Sequence, residues 1–328
     1  MTLSGYRLRP FAEGDYAEEA RIVNRVHSGW TTSVEELQHF DALLASAGHV
    51  NEKRIVESTG RAGVVAVGEL STSPDSAEPR RLWTSVAVDP AHQHLGIGRW
   101  LADELEGAAR ARGVAALLAS VEVEDARAVR FFGARGFRER RRVWLSRLDL
   151  TAERTPETAS SSGRLVPKDV TITTLAEEGP ERPEVLERLY RLKVATDADV
   201  PRIGRYTVIS FDEFVQWDVR MPGAIPEAFF IARAGDEYVG LCVLETLSEA
   251  PDTLLQIYTG TSAAYRGRGI ATAMKRRAID YARTHGFRYI RTSNDSLNRA
   301  MWGINERLGF RRREVWVQGE KALVHGPA

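Results

Sequence analysis

Cysteine is nearly absent from the chain. The single residue, Cys242, excludes an internal disulfide and fits a reducing compartment. Long apolar runs are missing too: nothing approaches the roughly 18 consecutive apolar residues of a membrane span. The N-terminal stretch MTLSGYRLRPFAEGDY lacks the apolar centre of a signal peptide, so a cytoplasmic protein without membrane association is expected. Charge of one sign is not in excess. Lys plus Arg and Asp plus Glu each number 45, which leaves no global field to attract nucleic acid or an anionic surface. His92 and His94 flank Gln93 without carboxylate or thiol partners at ligand spacing, so no metal is expected. What is left is a globular composition, 43% hydrophobic and 27% charged, over 328 residues. That length suits two domains at about 150 residues each.

The chain repeats itself. VAVDPAHQHLGIGRWL, from Val86, finds an echo in TGTSAAYRGRGIATAM, from Thr259. Placing Gln93 on Arg266 sets an offset of 173 residues, which also carries Gly96 onto Gly269 and Gly113 onto Gly286. The same offset takes Gly136-Phe137 onto Gly309-Phe310 without a gap. A period this long marks a duplicated domain rather than a solenoid. Between the copies, TAERTPETASSSGRLVPKD is rich in Ser, Thr, Glu and Pro and reads as a linker. We therefore expect domains at 1–150 and 170–328, joined by 151–169.

Each copy has the same order of patterns. The first offers a helix over Tyr16 to Val26, an antiparallel pair within Lys53 to Leu70, and the β-branched run RLWTSVAV. A helix from Ile97, the apolar run VAALLASVEV, a helix from Ala126 and a last strand, GFRERRRVWLSRL, follow. The second copy has helices from Pro183, Ile270 and Leu297, and strands within Phe229 to Leu247, LLQIYTG, FRYIRTSN and FRRREVWVQ. The class expected is α/β: two tandem domains, each with a mixed, mostly antiparallel central sheet flanked by helices.

Between strand and helix lies Gln-His-Leu-Gly-Ile-Gly in one copy and Arg-Gly-Arg-Gly-Ile-Ala in the other. Glycines there permit a tight turn close to a ligand, and the following helix offers unpaired N–H groups and a positive dipole end. A pyrophosphate is the natural occupant. Neither a Walker A pattern nor a full Gly-x-Gly-x-x-Gly is present.

With this turn at both sites, the chain resembles the GCN5-related N-acetyltransferase family, in its tandem two-domain form, strongly over 82–140 and 254–313. The resemblance implies acetyl-CoA as cofactor, with its pyrophosphate on Gln93, His94, Leu95, Gly96, Ile97, Gly98 and Arg99. The second turn supplies Arg266, Gly267, Arg268, Gly269, Ile270, Ala271 and Thr272. The pantetheine arm is expected along Ala87-Val88 and Thr259-Gly260-Thr261. Asn298 stands where the family bonds that arm, with Asn305 two helical turns on along the same face. The first copy has Asp125 at the former position.

The family's usual proton donor, a tyrosine four residues before Gly-Phe, is here Phe132 and Asn305. Catalytic expectations fall instead on Glu245, at the end of YVGLCVLE, as base, and Tyr258 as acid or positioning group. A solvated strand end and simple packing are the competing readings of these two residues. Glu69 is taken as the first copy's counterpart of Glu245. Cys242 lies between Leu241 and Val243 and reads as a small buried residue, not a nucleophile. The arginine clusters 138–142 and 311–313 lack interleaved stacking aromatics and read as solvated strand faces or as help with the cofactor's 3′-phosphate.

The function expected is acetyl transfer to a primary amine of a small molecule, by direct attack in a ternary complex. The C-terminal domain is the expected catalytic half, in a monomer or homodimer. Acidic and aromatic residues between Lys193 and Trp217 would suit a cationic amine, although Ser210 and Glu213 also form a helix capping box. Two alternatives stand beside this reading: a non-catalytic acyl-CoA sensor and a protein lysine acetyltransferase.

Overall fold

The computed structural model describes residues 3–27, 31–60, 63–152 and 167–323. Most of the expected linker therefore lies outside the described residues. The chain divides into two compact units, one built from 1–141, 203–207 and 316–328, the other from 142–202 and 208–315.

The first unit contains strands β1 (Tyr6–Pro10), β2 (Asn51–Ser58), β3 (Val64–Ser71), β4 (Arg81–Val88) and β5 (Ala116–Glu122). They pair in that order, antiparallel except for β4 with β5. Helix α1 (Tyr16–Val26) covers one face and α3 (Ile97–Ala111) the other. Apolar spacing explains the docking of α3: Ile97, Leu101, Leu105 and Ala109 are fully buried along one stripe. They meet Val56, Ala66, Leu82 and Leu117 of the sheet. On the opposite face Ile22 of α1 packs with Ile55, Val67 and Ala87. Two further helices are α2 (Val34–Ser46), opened by a Ser33–Glu36 capping box, and α4 (Ala126–Ala134).

The second unit repeats this plan with β7 (Thr171–Thr174), β8 (Ala224–Ala234), β9 (Glu237–Thr246), β10 (Thr253–Thr261) and β11 (Tyr289–Asp295). Its longer helices are α5 (Pro183–Asp197), α6 (Ile270–Thr284) and α7 (Arg299–Arg307). Met274 and Ala278 of α6 pack on Cys242, Leu244 and Leu254. Leu189 and Leu192 of α5 cover Leu241 and Val243 on the other face.

The two units trade their last strands. Val143 to Asp149, from β6 (Arg138–Asp149), pairs with β11 in the second unit. Trp316 to Ala322, from β12 (Arg311–Ala322), pairs with β5 in the first. The strand that the sequence assigns to the N-terminal domain thus completes the sheet of the other unit. Side chains lock each exchange. Arg312 stacks 3.4 Å from the Trp144 ring centroid and 4.3 Å from that of Trp302. In the first unit Glu320 pairs with Arg81 at 2.9 Å. No described helix is long and apolar enough to cross a membrane.

Candidate functional site

In the second unit the parallel ladder of β10 and β11 runs from Thr253 with Tyr289 to Gln256 with Thr292 and then stops. There β10 bulges: its register against β9 shifts between Gln256 and Tyr258. A bulge adds a residue and bends the strand, so β10 and β11 splay apart beyond it. In the first unit the β4–β5 ladder also ends early, at Trp83 with Leu118, but β4 pairs with β3 without a bulge. The extra residue changes the repeat offset. Leu82 and Leu254 occupy the same ladder position, paired with Leu117 and Ile290, only 172 residues apart.

The expected turn follows β10. Arg266 Nε donates to the Thr261 carbonyl at 3.1 Å, as Gln93 Nε2 donates to that of Val88 at 3.1 Å in the first copy. Gly267 and Gly269 take φ of 75° and 85°, the left-handed region in which a Cβ is disfavoured. Helix α6 then begins, and the N–H groups of Ile270, Ala271 and Thr272 lie in its first turn, where no helical carbonyl reaches them.

Above these groups opens a cavity of about 420 Å³. Thr259, Thr261, Arg266, Gly267 and Gly269 line it, as do Ile270, Ala271, Thr272, Asn298 and Tyr258. The remaining expected residues lie elsewhere. Arg268 turns to Asp169 at 2.6 Å. Gly260 lies against Thr196, where an added Cβ would come within 3.0 Å. Asn305 is fully buried and donates to Asn294 Oδ1 at 2.5 Å. Asn298 caps α7, its Oδ1 accepting from Met301 N at 3.2 Å, which leaves its amide N–H₂ for the cavity.

Tyr258, first after the bulge, donates its hydroxyl proton to Thr196 Oγ1 at 2.9 Å. Beside it Lys193 Nζ holds Asp197 at 2.8 Å and Asp218 at 3.0 Å, and lies 4.7 Å from the Tyr258 ring centroid. Burial, followed by repulsion from Asp197, raises the Tyr258 phenol well above its ordinary value. Burial opposes the Lys193 ammonium, but Asp218 and Asp197 outweigh it and hold its pKa up. Lys193 and Asp197 are four residues apart on one helix and readable as a pair; Asp218 carried no sequence signal. Glu245 pairs with Leu255, before the ladder ends. Glu69 pairs with Ser85, which the 173-residue offset places on Tyr258, so the two glutamates stand at different levels of their sheets.

Beneath β10, on the α6 side, lies a buried polar group. Lys275 Nζ donates to Gln256 Oε1 at 2.8 Å. Gln256 Nε2 donates to Thr259 Oγ1 at 2.6 Å and to Cys242 Sγ at 3.1 Å. Thr292 Oγ1 donates to the Gln256 carbonyl at 3.0 Å, where the ladder ends. Burial pushes Lys275 down to about 8 and raises the Cys242 thiol. An inert, buried cysteine results, in keeping with its apolar flanks.

The first copy has the same turn with different dressing. His94 takes φ of 65° where the second copy has Gly267, and Gly96 takes 87°. Arg127 Nη1 stands 3.5 Å from His94 Nε2, and Asp125 caps α4 by accepting from Arg127 N at 2.9 Å. Tyr6 and His92 are hydrogen-bonded at 3.1 Å. A smaller cavity, about 160 Å³, lies between the splayed strands. It is lined by Val86, Ala119 and Phe131 among others, and not by Ala87, Val88 or the turn 93–99. Among the described residues no group of three or more His, Cys, Asp or Glu is placed to hold a metal.

Comparison with known proteins agrees with this duplication. The model of the acetyltransferase (GNAT) family matches residues 19–137 and again 187–310. Mycothiol acetyltransferase of Thermobifida fusca is 27% identical over 274 residues, covering 76% of this chain and 75% of its own. The N-alpha-acetyltransferase RimI of Mycobacterium tuberculosis is 35% identical over 95 residues, 28% of this chain and 60% of that protein. Among solved structures, a tandem GNAT protein from the clavulanic acid biosynthesis pathway aligns with a TM-score of 0.74 at 18% identity. That alignment covers 98% of this chain and 99% of the other.

Proposed function

Because the chain belongs to the acetyltransferase (GNAT) family and is an N-acetyltransferase, we propose that its second unit acetylates a primary amine of a small molecule from acetyl-CoA. One observation carries this reading: a single cavity runs from the free N–H groups of the α6 turn to the phenol of Tyr258. The residues present fit the cofactor. Backbone donors and the dipole of α6 suit a pyrophosphate, and Asn298 offers an amide N–H₂ to the arm. We extend the same anion-binding role to the turn 93–99 of the first unit.

Bound in this cavity, acetyl-CoA supplies an activated thioester, whose C–S bond breaks as the amine nitrogen bonds to the acetyl carbon. Tyr258 is the group placed to give its proton to the departing sulfur, for which the bound thioester would have to bring its raised pKa back down. Thr196 holds the phenol at the cavity wall. Glu245 is proposed to take the proton that the amine must lose, directly or through water. The acceptor meets the acyl group in a ternary complex, since Cys242 is buried and no thiol is available for an acyl-enzyme.

Ala271 and Gly98 are equivalent positions with ordinary helical backbone, so a glutamate at either introduces a negative charge without turn strain. Ala271→Glu should lower kcat/KM for acetyl-CoA by about 100-fold or more, and Gly98→Glu by less than about 3-fold. CoA release with an amine panel reads both. The reverse order of effects would place catalysis in the first unit.

A further inference from the structure

The 173-residue offset places Lys275 on Ala102, Thr292 on Ala119 and Thr259 on Val86. In the second unit those three side chains converge on Gln256 and fill the space where the ladder ends. In the first unit all three small apolar counterparts line the inner cavity. One copy packs this space with a polar network; in the other, small apolar residues leave it open, with Glu106, Glu122, Asp125 and Arg135 also in its wall.

Helix α4 keeps it open. None of its residues is buried, and Phe131 is 38% exposed above the cavity, whereas the equivalent α7 buries Trp302 and Asn305. Of the charged groups in its wall, Arg135 and Glu106 neutralise each other at 2.9 Å, and burial lowers the His27 pKa and favours the neutral imidazole. The volume of about 160 Å³ matches the roughly 150 Å³ apolar cavity known to take a benzene ring. An alkyl chain of about four to six carbons has similar bulk. Next to the turn, Arg127 offers a cation to a phosphate.

We propose that the first unit is a binding site for an acyl-coenzyme A whose chain is longer than acetyl. The alkyl tail enters the cavity between β4, β5 and α4, and the phosphates rest on the turn 93–99. This rests on reading that turn as a coenzyme A site. No bond is made or broken: the unit holds the thioester as a ligand.

The test uses the full chain carrying Ala271→Glu, which silences the second turn. Acetyl-, butyryl- and hexanoyl-CoA are titrated by calorimetry. Affinity should rise about threefold to fourfold per methylene from acetyl to hexanoyl. Adding Ala102→Leu, which fills the cavity, should bring hexanoyl-CoA down to the acetyl-CoA level and leave acetyl-CoA unchanged. Ala119→Val serves the same purpose if the leucine disturbs folding, as judged by thermal melting. A flat series, or a steep one that survives both fillings, overturns the proposal while acetyl-CoA binding upholds the turn reading. Failure of every acyl-CoA to bind overturns both.

Discussion

Two copies of one strand–turn–helix junction share a backbone and differ in what surrounds it. In the second copy the turn has glycine at both left-handed positions, a bulged strand leads into it, and a cavity of about 420 Å³ opens above it. In the first copy a histidine occupies one left-handed position, the strand is unbulged, and the cavity lies behind the turn rather than on it. The turn itself is therefore common to both copies, and what differs is its setting. The single residue inserted at the bulge brings Tyr258 beside Thr196 in one copy only, and the proposed chemistry rests on that difference.

The largest effect should come from removing that adaptation. Tyr258→Phe is expected to lower kcat by about 100-fold, within the usual range for a lost general acid, with KM for acetyl-CoA little changed. Steady-state kinetics decide it. Equal loss in kcat and cofactor binding would make Tyr258 a packing residue. Ser85→Tyr at the unbulged counterpart should confer nothing.

A smaller effect separates the copies by their buried charge. Lys275 has a folded pKa of about 8 against 10.5 unfolded. Below pH 8 both states hold the proton, and the burial penalty is present in full. Between about 8 and 10.5 only the unfolded chain keeps it, so stability rises with pH across this window. Lys275→Met should stabilise the protein at pH 7 by about 1–2 kcal/mol, a burial gain reduced by the unpartnered Gln256 amide. The advantage should vanish near pH 10.5. Urea melts at the two pH values measure it; a pH-independent difference would contradict the buried, shifted lysine.

The smallest test concerns backbone strain. His94→Gly should stabilise the first unit by about 0.5–1 kcal/mol, since φ of 65° suits glycine better. Gly267→His should cost a similar amount in the second unit. Calorimetric melting of both variants gives the comparison, and a gain from Gly267→His would show that the turns are not equivalent.

Local features were legible in sequence. The turns, the helix from Tyr16 to Val26 and the Ser210–Glu213 capping box all appear where residue pattern alone placed them. Their cause lies within a few neighbouring residues. The bulge was legible in principle, because the offset falls from 173 to 172 between Val86 and Leu82, yet a one-residue slip is easily absorbed into an ungapped match. Helix α2 escaped because its apolar residues do not form a clean stripe; only Leu43 and Leu44 are buried. The Lys275–Gln256–Thr259 network, Asp218 beside Lys193 and the strand exchange depend on tertiary partners. Nothing in β6 or β12 distinguishes one sheet from the other as its destination, since both strands carry the same arginine-rich start and alternating finish.

That exchange has a consequence for synthesis. The edge of β5 is closed by Trp316 to Ala322, which the ribosome adds long after β5 itself. The N-terminal unit thus cannot finish folding while the C-terminal half is being made, and it carries an open strand edge through that interval. The first sheet is closed by pairs such as Gln318 with Ser120, far apart in sequence, and long-range pairing of this kind is intrinsically slow to form.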